Sequence, residues 1–209
     1  MDAVSVGIRF DGSEASRKTV VLAHGAGAPM DSPFLERITT GLAGRGLRVA
    51  RFEFPYMQRR RRSEPGRLPD PPPVLEGRWR EVLAALGDPS RCVIGGKSLG
   101  GRIASLVADA AGVAGLVCLG YPFHPPGKPE RPRTAHLAAL RTPALIVQGA
   151  RDPFGTREEA ATYALSPSIR LHFLEDGDHS FAPRARSGRT LDGNLAEAID
   201  VVARFVHEL

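Results

Sequence analysis

Short apolar runs of strand length alternate along this chain with segments whose apolar residues recur at helical spacing. No other feature restricts the fold as much. The strand-like runs are Val4 to Arg9, Thr19 to Ala23, Leu47 to Phe54, Arg91 to Gly95, Val113 to Gly120, Pro143 to Gly149 and Ile169 to Leu174. Between them, Pro33 to Ala43 sets Phe34, Leu35, Ile38 and Leu42 in one stripe. Val74 to Leu86 does the same with Val74, Leu75, Trp79, Val82, Leu83 and Leu86. Leu99 to Ala111, Arg157 to Ala164 and Leu191 to Val206 complete the helical set. Strands that alternate with helices build βαβ units, hence an α/β fold with a mostly parallel sheet covered on both faces. With 209 residues, no composition break and no internal repeat, residues 1–209 read as one domain. Two proline-rich stretches, Pro55 to Pro73 and Tyr121 to Arg133, follow strands and read as loops at the carboxyl edge of the sheet. Open α/β sheets bind their ligands at that edge.

Composition narrows the function classes. At 42% hydrophobic and 24% charged, the chain is neither disordered nor collagen-like. No apolar run reaches the ~20 residues of a membrane helix. Met1 to Arg9 has neither a basic nor an apolar leader region, so a cytoplasmic location without a membrane partner is expected. The net charge of +5 comes almost wholly from arginine, since lysine occurs only at positions 18, 97 and 128. With the abundance of Ala, Gly and Pro this reads as a coding bias, not as a nucleic-acid footprint. The run Arg59 to Arg62, followed by Arg67, lacks interleaved aromatic residues and reads as a solvated loop that could steer acidic substrates. Cys92 and Cys118 lie in apolar runs and read as buried, inert thiols.

The chemistry centres on Gly96-Lys97-Ser98-Leu99-Gly100, a G-x-S-x-G between an expected strand and an expected helix. That context defines a nucleophile elbow. The serine turns sharply in a strained conformation, and its neighbours must be glycine to avoid clashes. The turn lifts the hydroxyl above the sheet, beside helix N–H groups that can hold an oxyanion. A phosphate-loop reading of Gly96-Lys97-Ser98 fails, because the first glycine of that motif would fall at Arg91. An acyl-transfer serine needs a base, and the base an orienting acid. Asp152 follows the strand ending at Gly149, and His179 follows the strand ending at Leu174. The oxyanion hole needs a second backbone donor beside that of Leu99. The sequence His24-Gly25-Ala26-Gly27, just past Ala23, offers the N–H of Ala26, with Gly27 as second choice.

These four pieces, in this order, resemble the α/β-hydrolase superfamily over nearly the whole chain. The likeness is to its small, nearly capless members of the dienelactone-hydrolase type, so no substantial lid is expected. Two features depart from that type: the nucleophile is Ser98 where dienelactone hydrolases have cysteine, and Lys97 precedes it where His, Phe or Tyr is usual. The resemblance implies a cofactor-free serine hydrolase acting on small carboxylic esters or thioesters through Ser98, His179 and Asp152. Its alternative is a catalytically silent hydrolase fold serving as a binding or scaffold module.

Other residues carry weaker expectations. His24 should shape the oxyanion loop and hydrogen-bond locally. Phe54, Tyr56, Tyr121 and Phe123 should wall the pocket, and His124 reads either as substrate-facing or as packed within its loop. Lys97 either raises the local positive potential or points away behind the elbow. His136 reads as a surface residue, His172 as packed or solvated, and His207 as a last-turn cation suited to the helix dipole. Asp176-Gly177-Asp178-His179 has no standard ligand spacing, so no metal is expected.

Overall fold

A computed structural model describes residues 7–64 and 68–209. Its strands are β1 (Arg9–Asp11), β2 (Thr19–Ala23), β3 (Arg48–Phe52), β4 (Cys92–Lys97), β5 (Gly115–Leu119), β6 (Ala144–Gly149) and β7 (Ile169–Leu174). The helices are α1 (Pro33–Ala43), α2 (Pro55–Arg61), α3 (Pro72–Leu86), α4 (Leu99–Ala111), α5 (Arg157–Ala160) and α6 (Leu191–Glu208). One seven-stranded sheet runs in the order β1-β3-β2-β4-β5-β6-β7. Only β1 is antiparallel, against β3. Of the opening strand expected at Val4 to Arg9, residues 4–6 lie outside the described residues, as does Arg67, and Arg9 begins β1.

Strand alternation builds two apolar layers. Val20 and Leu22 of β2 pack with Leu35, Ile38 and Leu42 of α1 and with Leu195, Ile199 and Val202 of α6. Val21 and Ala23 pack on the opposite face with Leu75, Trp79 and Val82 of α3 and Ile103 and Ala104 of α4. The period of two in the strands thus meets a helical stripe on each side. β2 pairs with β3 on one side and β4 on the other, so the strand order reverses between β2 and β4. The connections leaving these two strands diverge to opposite faces and open a crevice at their carboxyl ends.

Pro55 to Pro73 is not a plain loop: it holds α2 and the first turn of α3. Its prolines start helices instead of breaking them, because Pro55 and Pro72 stand at the first positions, where no N–H is needed. The arginine run ends α2, where cations suit the helix dipole. Its members are also paired. Arg59 binds Asp70, Arg61 binds Glu53 and Asp31, and Arg62 binds Glu64. The run is therefore not a free basic patch. α5 stops at Ala160, short of Ala164, because the N–H groups of Thr162 and Tyr163 turn back to Glu159 and Ala160 in tighter, three-residue bonds. Cys92 and Cys118 are buried free thiols on the adjacent strands β4 and β5.

Candidate active site

β4 ends at Lys97, α4 begins at Leu99, and Ser98 makes the turn between them at φ 50°, ψ −112°. A non-glycine residue there stores roughly 1–3 kcal/mol of strain. The surroundings impose the glycines. A Cβ on Gly96 would stand 2.1 Å from the Ala23 carbonyl oxygen, and one on Gly100 would stand 2.4 Å from it. The elbow therefore lies directly against the end of β2. Ser98 occupies the N-cap position, yet its hydroxyl caps nothing. Its backbone N–H donates to Leu119 O at 3.0 Å. Its Oγ lies 2.9 Å from His179 Nε2.

His179 Nδ1 stands 2.7 Å from Asp152 Oδ2. A carboxylate only accepts, so Nδ1 carries the proton and Nε2 presents its lone pair to the Ser98 hydroxyl. Asp152 is fully buried. Phe154 N–H donates to its Oδ1 at 2.8 Å, and Gln148 Nε2 donates to its Oδ2 at 2.9 Å. Gln148 also exchanges hydrogen bonds with both backbone groups of Tyr121, which ties the acid to the end of β5. The neighbouring carboxylates serve their own loop. Asp178 Oδ1 accepts from Ser180 and Ala182 N–H. Asp176 is held by Arg184, whose guanidinium keeps its carboxyl down near about 2.

Facing Ser98, the segment after β2 presents backbone. His24 is fully buried, and its ring is fixed at both ends: Nδ1 donates to Gly25 O at 2.7 Å, and Nε2 accepts Phe54 N–H at 3.1 Å. Burial lowers its pKa, so the ring stays neutral in one tautomer. Tyr56 Oη donates to the carbonyls of Gly25 and Ala26, 3.2 Å from each. In a trans peptide the next N–H points the opposite way. The N–H groups of Ala26 and Gly27 are therefore aimed away from the Tyr56 hydroxyl, and both residues border the cleft. Leu99 opens α4, where the first N–H groups have no intrahelical partner.

These groups border an open cleft of about 480 Å³, whose apolar lining includes Ala26, Pro33, Phe34 and Phe154. The Phe154 ring lies 4.2 Å from that of His179, centroid to centroid. Lys97 also borders the cleft, and its Nζ donates to the His179 backbone oxygen at 2.5 Å. Burial pushes this ammonium down to about 8, against the pull of Asp152 and Asp178.

Several expected wall residues lie elsewhere. Phe54, Tyr56, Tyr121 and Phe123 are fully buried in the layer with α3 and α4 and do not line the cleft. Their size and apolarity are satisfied by the core; Tyr56 reaches the site only through its hydroxyl. His124 is buried behind the Phe154 loop, with Nδ1 2.8 Å from Pro125 O and its backbone N–H donating to Phe154 O. His136 is not a surface residue: its Nε2 lies 2.8 Å from Ser105 Oγ, and burial lowers its pKa. His172 pairs with Glu197, and His207 lies in the last turn of α6. Sequence reading missed Gln148, Phe34 and Phe154. The one available signal was Asp152-Pro153-Phe154, an aromatic residue two positions from the acid. Among the described residues, no group of three or more His, Cys, Asp or Glu is placed to hold a metal.

Comparison with known proteins agrees with this architecture. A serine hydrolase homologue from Coxiella burnetii superposes with a TM-score of 0.71 at 19% identity, over 94% of this chain and 89% of the other. A dienelactone hydrolase from Anabaena variabilis gives 0.70 at 20% identity, over 98% and 94%. A lidless α/β serine hydrolase from Xanthomonas campestris gives 0.64 at 18% identity, over 93% and 88%. At these identities the likeness concerns the fold: a mostly parallel sheet, helices on both faces, no large lid. The family model described as an alpha/beta hydrolase domain matches residues 16–207, and the chain accordingly belongs to the α/β-hydrolase family.

Proposed function

We propose that this hydrolase cleaves carboxylic esters or thioesters of small acyl groups, with Ser98 as nucleophile, His179 as general base and acid, and Asp152 as its orienting partner. The observation that carries this reading is the unbroken hydrogen-bonded chain from buried Asp152 through His179 to a strained Ser98 hydroxyl. His179 Nε2 takes the Ser98 proton as Oγ bonds to the substrate carbonyl carbon. The oxyanion is received by the N–H of Leu99 and that of Ala26, with Gly27 as the alternative donor. As the carbon–oxygen or carbon–sulfur bond breaks, the imidazolium gives its proton to the departing alcohol or thiol. Water, deprotonated by the same nitrogen, then attacks the acyl-enzyme. Its collapse frees the acid and returns the proton to Ser98. Asp152 stays ionised throughout and stabilises the imidazolium.

The open cleft and its short apolar wall of Pro33, Phe34 and Phe154 favour a short acyl chain over a long one. No cofactor enters any step. Turnover of p-nitrophenyl acetate, butyrate and octanoate should fall along that series, and Ser98→Ala should lose ~10³-fold or more. A fluorophosphonate probe should label wild type at Ser98 and leave the variant unlabelled. Absence of labelling in wild type would count for a scaffold role instead.

A further inference from the structure

The side chain before the nucleophile runs across the site. Lys97 leaves the end of β4 and brings Nζ to the backbone oxygen of His179, 82 residues away in sequence. A socket is kept for that contact. Gly120, just past β5, has φ 67°, and a Cβ there would stand 2.8 Å from Lys97 Nζ and 3.0 Å from His179 O. The middle of the side chain lies by the oxyanion segment: a Cβ on Gly25 would be 3.5 Å from Lys97 Cγ. Its ammonium also faces the Phe34 ring of α1, 5.4 Å from the centroid. One side chain therefore touches the histidine loop, the oxyanion segment and the cleft wall.

Resting on the serine hydrolase reading, we propose that Lys97 is a positioning residue, which clamps the His179 main chain so that its imidazole stays in line between Asp152 and Ser98. The backbone of His179 sits in a loop that is also braced by Asp178, which accepts from Ser180 and Ala182 N–H, and by Asn194, which donates to Phe181 O. Without a donor at Nζ, the imidazole can drift from Ser98 Oγ, and displacements near 1 Å cost up to about 100-fold in rate. The charged groups that act on Lys97 are Asp152 from the β6–α5 connection and Asp178 from the β7–α6 connection, both favouring the ammonium. His179 Nδ1 borders the same Gly120 socket, and Phe34 adds its π face. Because burial brings the ammonium into a titratable range, the clamp weakens above about 8 as its charge-assisted N–H donor becomes a neutral one.

The test combines Lys97→Met, which keeps the stem and removes the donor, with two readouts. Ester hydrolysis is followed from pH 6 to 10. In the variant kcat should fall about 10- to 100-fold with KM within about threefold. Wild type should show a descending alkaline limb that the variant lacks. The second readout needs no substrate: the His179 Nδ1–H resonance in 15N-histidine-labelled protein. It should be sharp in wild type at pH 7, broaden as pH passes about 8, and be broad in Lys97→Met at every pH. If Lys97→Met does not fold, Lys97→Gln takes its place with the same two readouts. An unchanged resonance and alkaline limb overturn the inference, even if kcat falls, because a packing role moves neither. Failure of the hydrolase reading is seen separately, as wild-type protein that the fluorophosphonate probe does not label.

Discussion

At the residue scale, the site is built from side chains whose freedom has been removed. Ser98 is held at a strained positive φ in a turn that Gly96 and Gly100 let approach β2, and His24 is held neutral with both ring nitrogens engaged. Tyr56 is the clearest case of a buried side chain acting through one atom. Burial pushes its phenol up, so it remains a donor to Gly25 O and Ala26 O at all working pH values. Tyr56→Phe should lower kcat on p-nitrophenyl butyrate about tenfold with KM nearly unchanged, a fraction of the roughly 3 kcal/mol that one oxyanion donor contributes. Lys97 also links charge to stability. A lysine whose pKa falls from 10.5 to about 8 on folding binds fewer protons folded than unfolded between those values. Stability therefore rises with pH across that window, relative to a variant without the group. Urea unfolding at pH 7.5 and 9.5 should show wild type gaining on Lys97→Met as pH increases. Ser98, Asp152 and His179 were legible because few residue types do this chemistry and each follows a strand in the order the family uses. Gln148 and Phe154 were not, because nothing in a glutamine within an apolar strand or a phenylalanine after a proline announces its contact partner.

At the element scale, the strand–elbow–helix unit of β4 and α4 depends on backbone proximity to β2. Gly100→Ala would set a methyl 2.4 Å from Ala23 O, and that oxygen belongs to a central strand that cannot retreat. Overpacking of this kind costs about 1–3 kcal/mol. The variant should lose that much in chemical denaturation and lose activity with it, whereas Gly77→Ala, whose added Cβ meets nothing within 4 Å, should not. The helical stripes of α1, α3, α4 and α6 were readable because each has one apolar face to bury. α2 was not. Its seven residues hold only Tyr56 and Met57 in the core, and two of its arginines, Arg59 and Arg61, pair with Asp70, Glu53 and Asp31, which come from other parts of the chain.

At the scale of the whole molecule, the sheet separates two apolar layers that share every central strand. Trp79, the only tryptophan, lies fully buried in the layer of α3 and α4, so its fluorescence reports on that face alone. Far-UV circular dichroism reports on both. If the layers unfold as one domain, the two transitions in urea should coincide. A separate fluorescence transition would reveal a layer that melts alone.

The sequence by itself determined the layered α/β architecture, because strand and helix periods depend only on which local faces must leave water. It also set the order of Ser98, Asp152 and His179, the proposed nucleophile, acid and base, at the carboxyl edge, since strand ends are local features. Tertiary structure alone decided which aromatic residues line the cleft. Phe34 and Phe154 reach the cleft, while Phe54, Tyr121 and Phe123, equally apolar, fill the core. It also decided the fate of the charges. Arg59, Arg61 and Arg62 are engaged in ion pairs, and Lys97 is turned inward onto His179. Burial and pairing depend on what the rest of the chain brings alongside, and hydropathy read along the sequence carries no record of those distant partners.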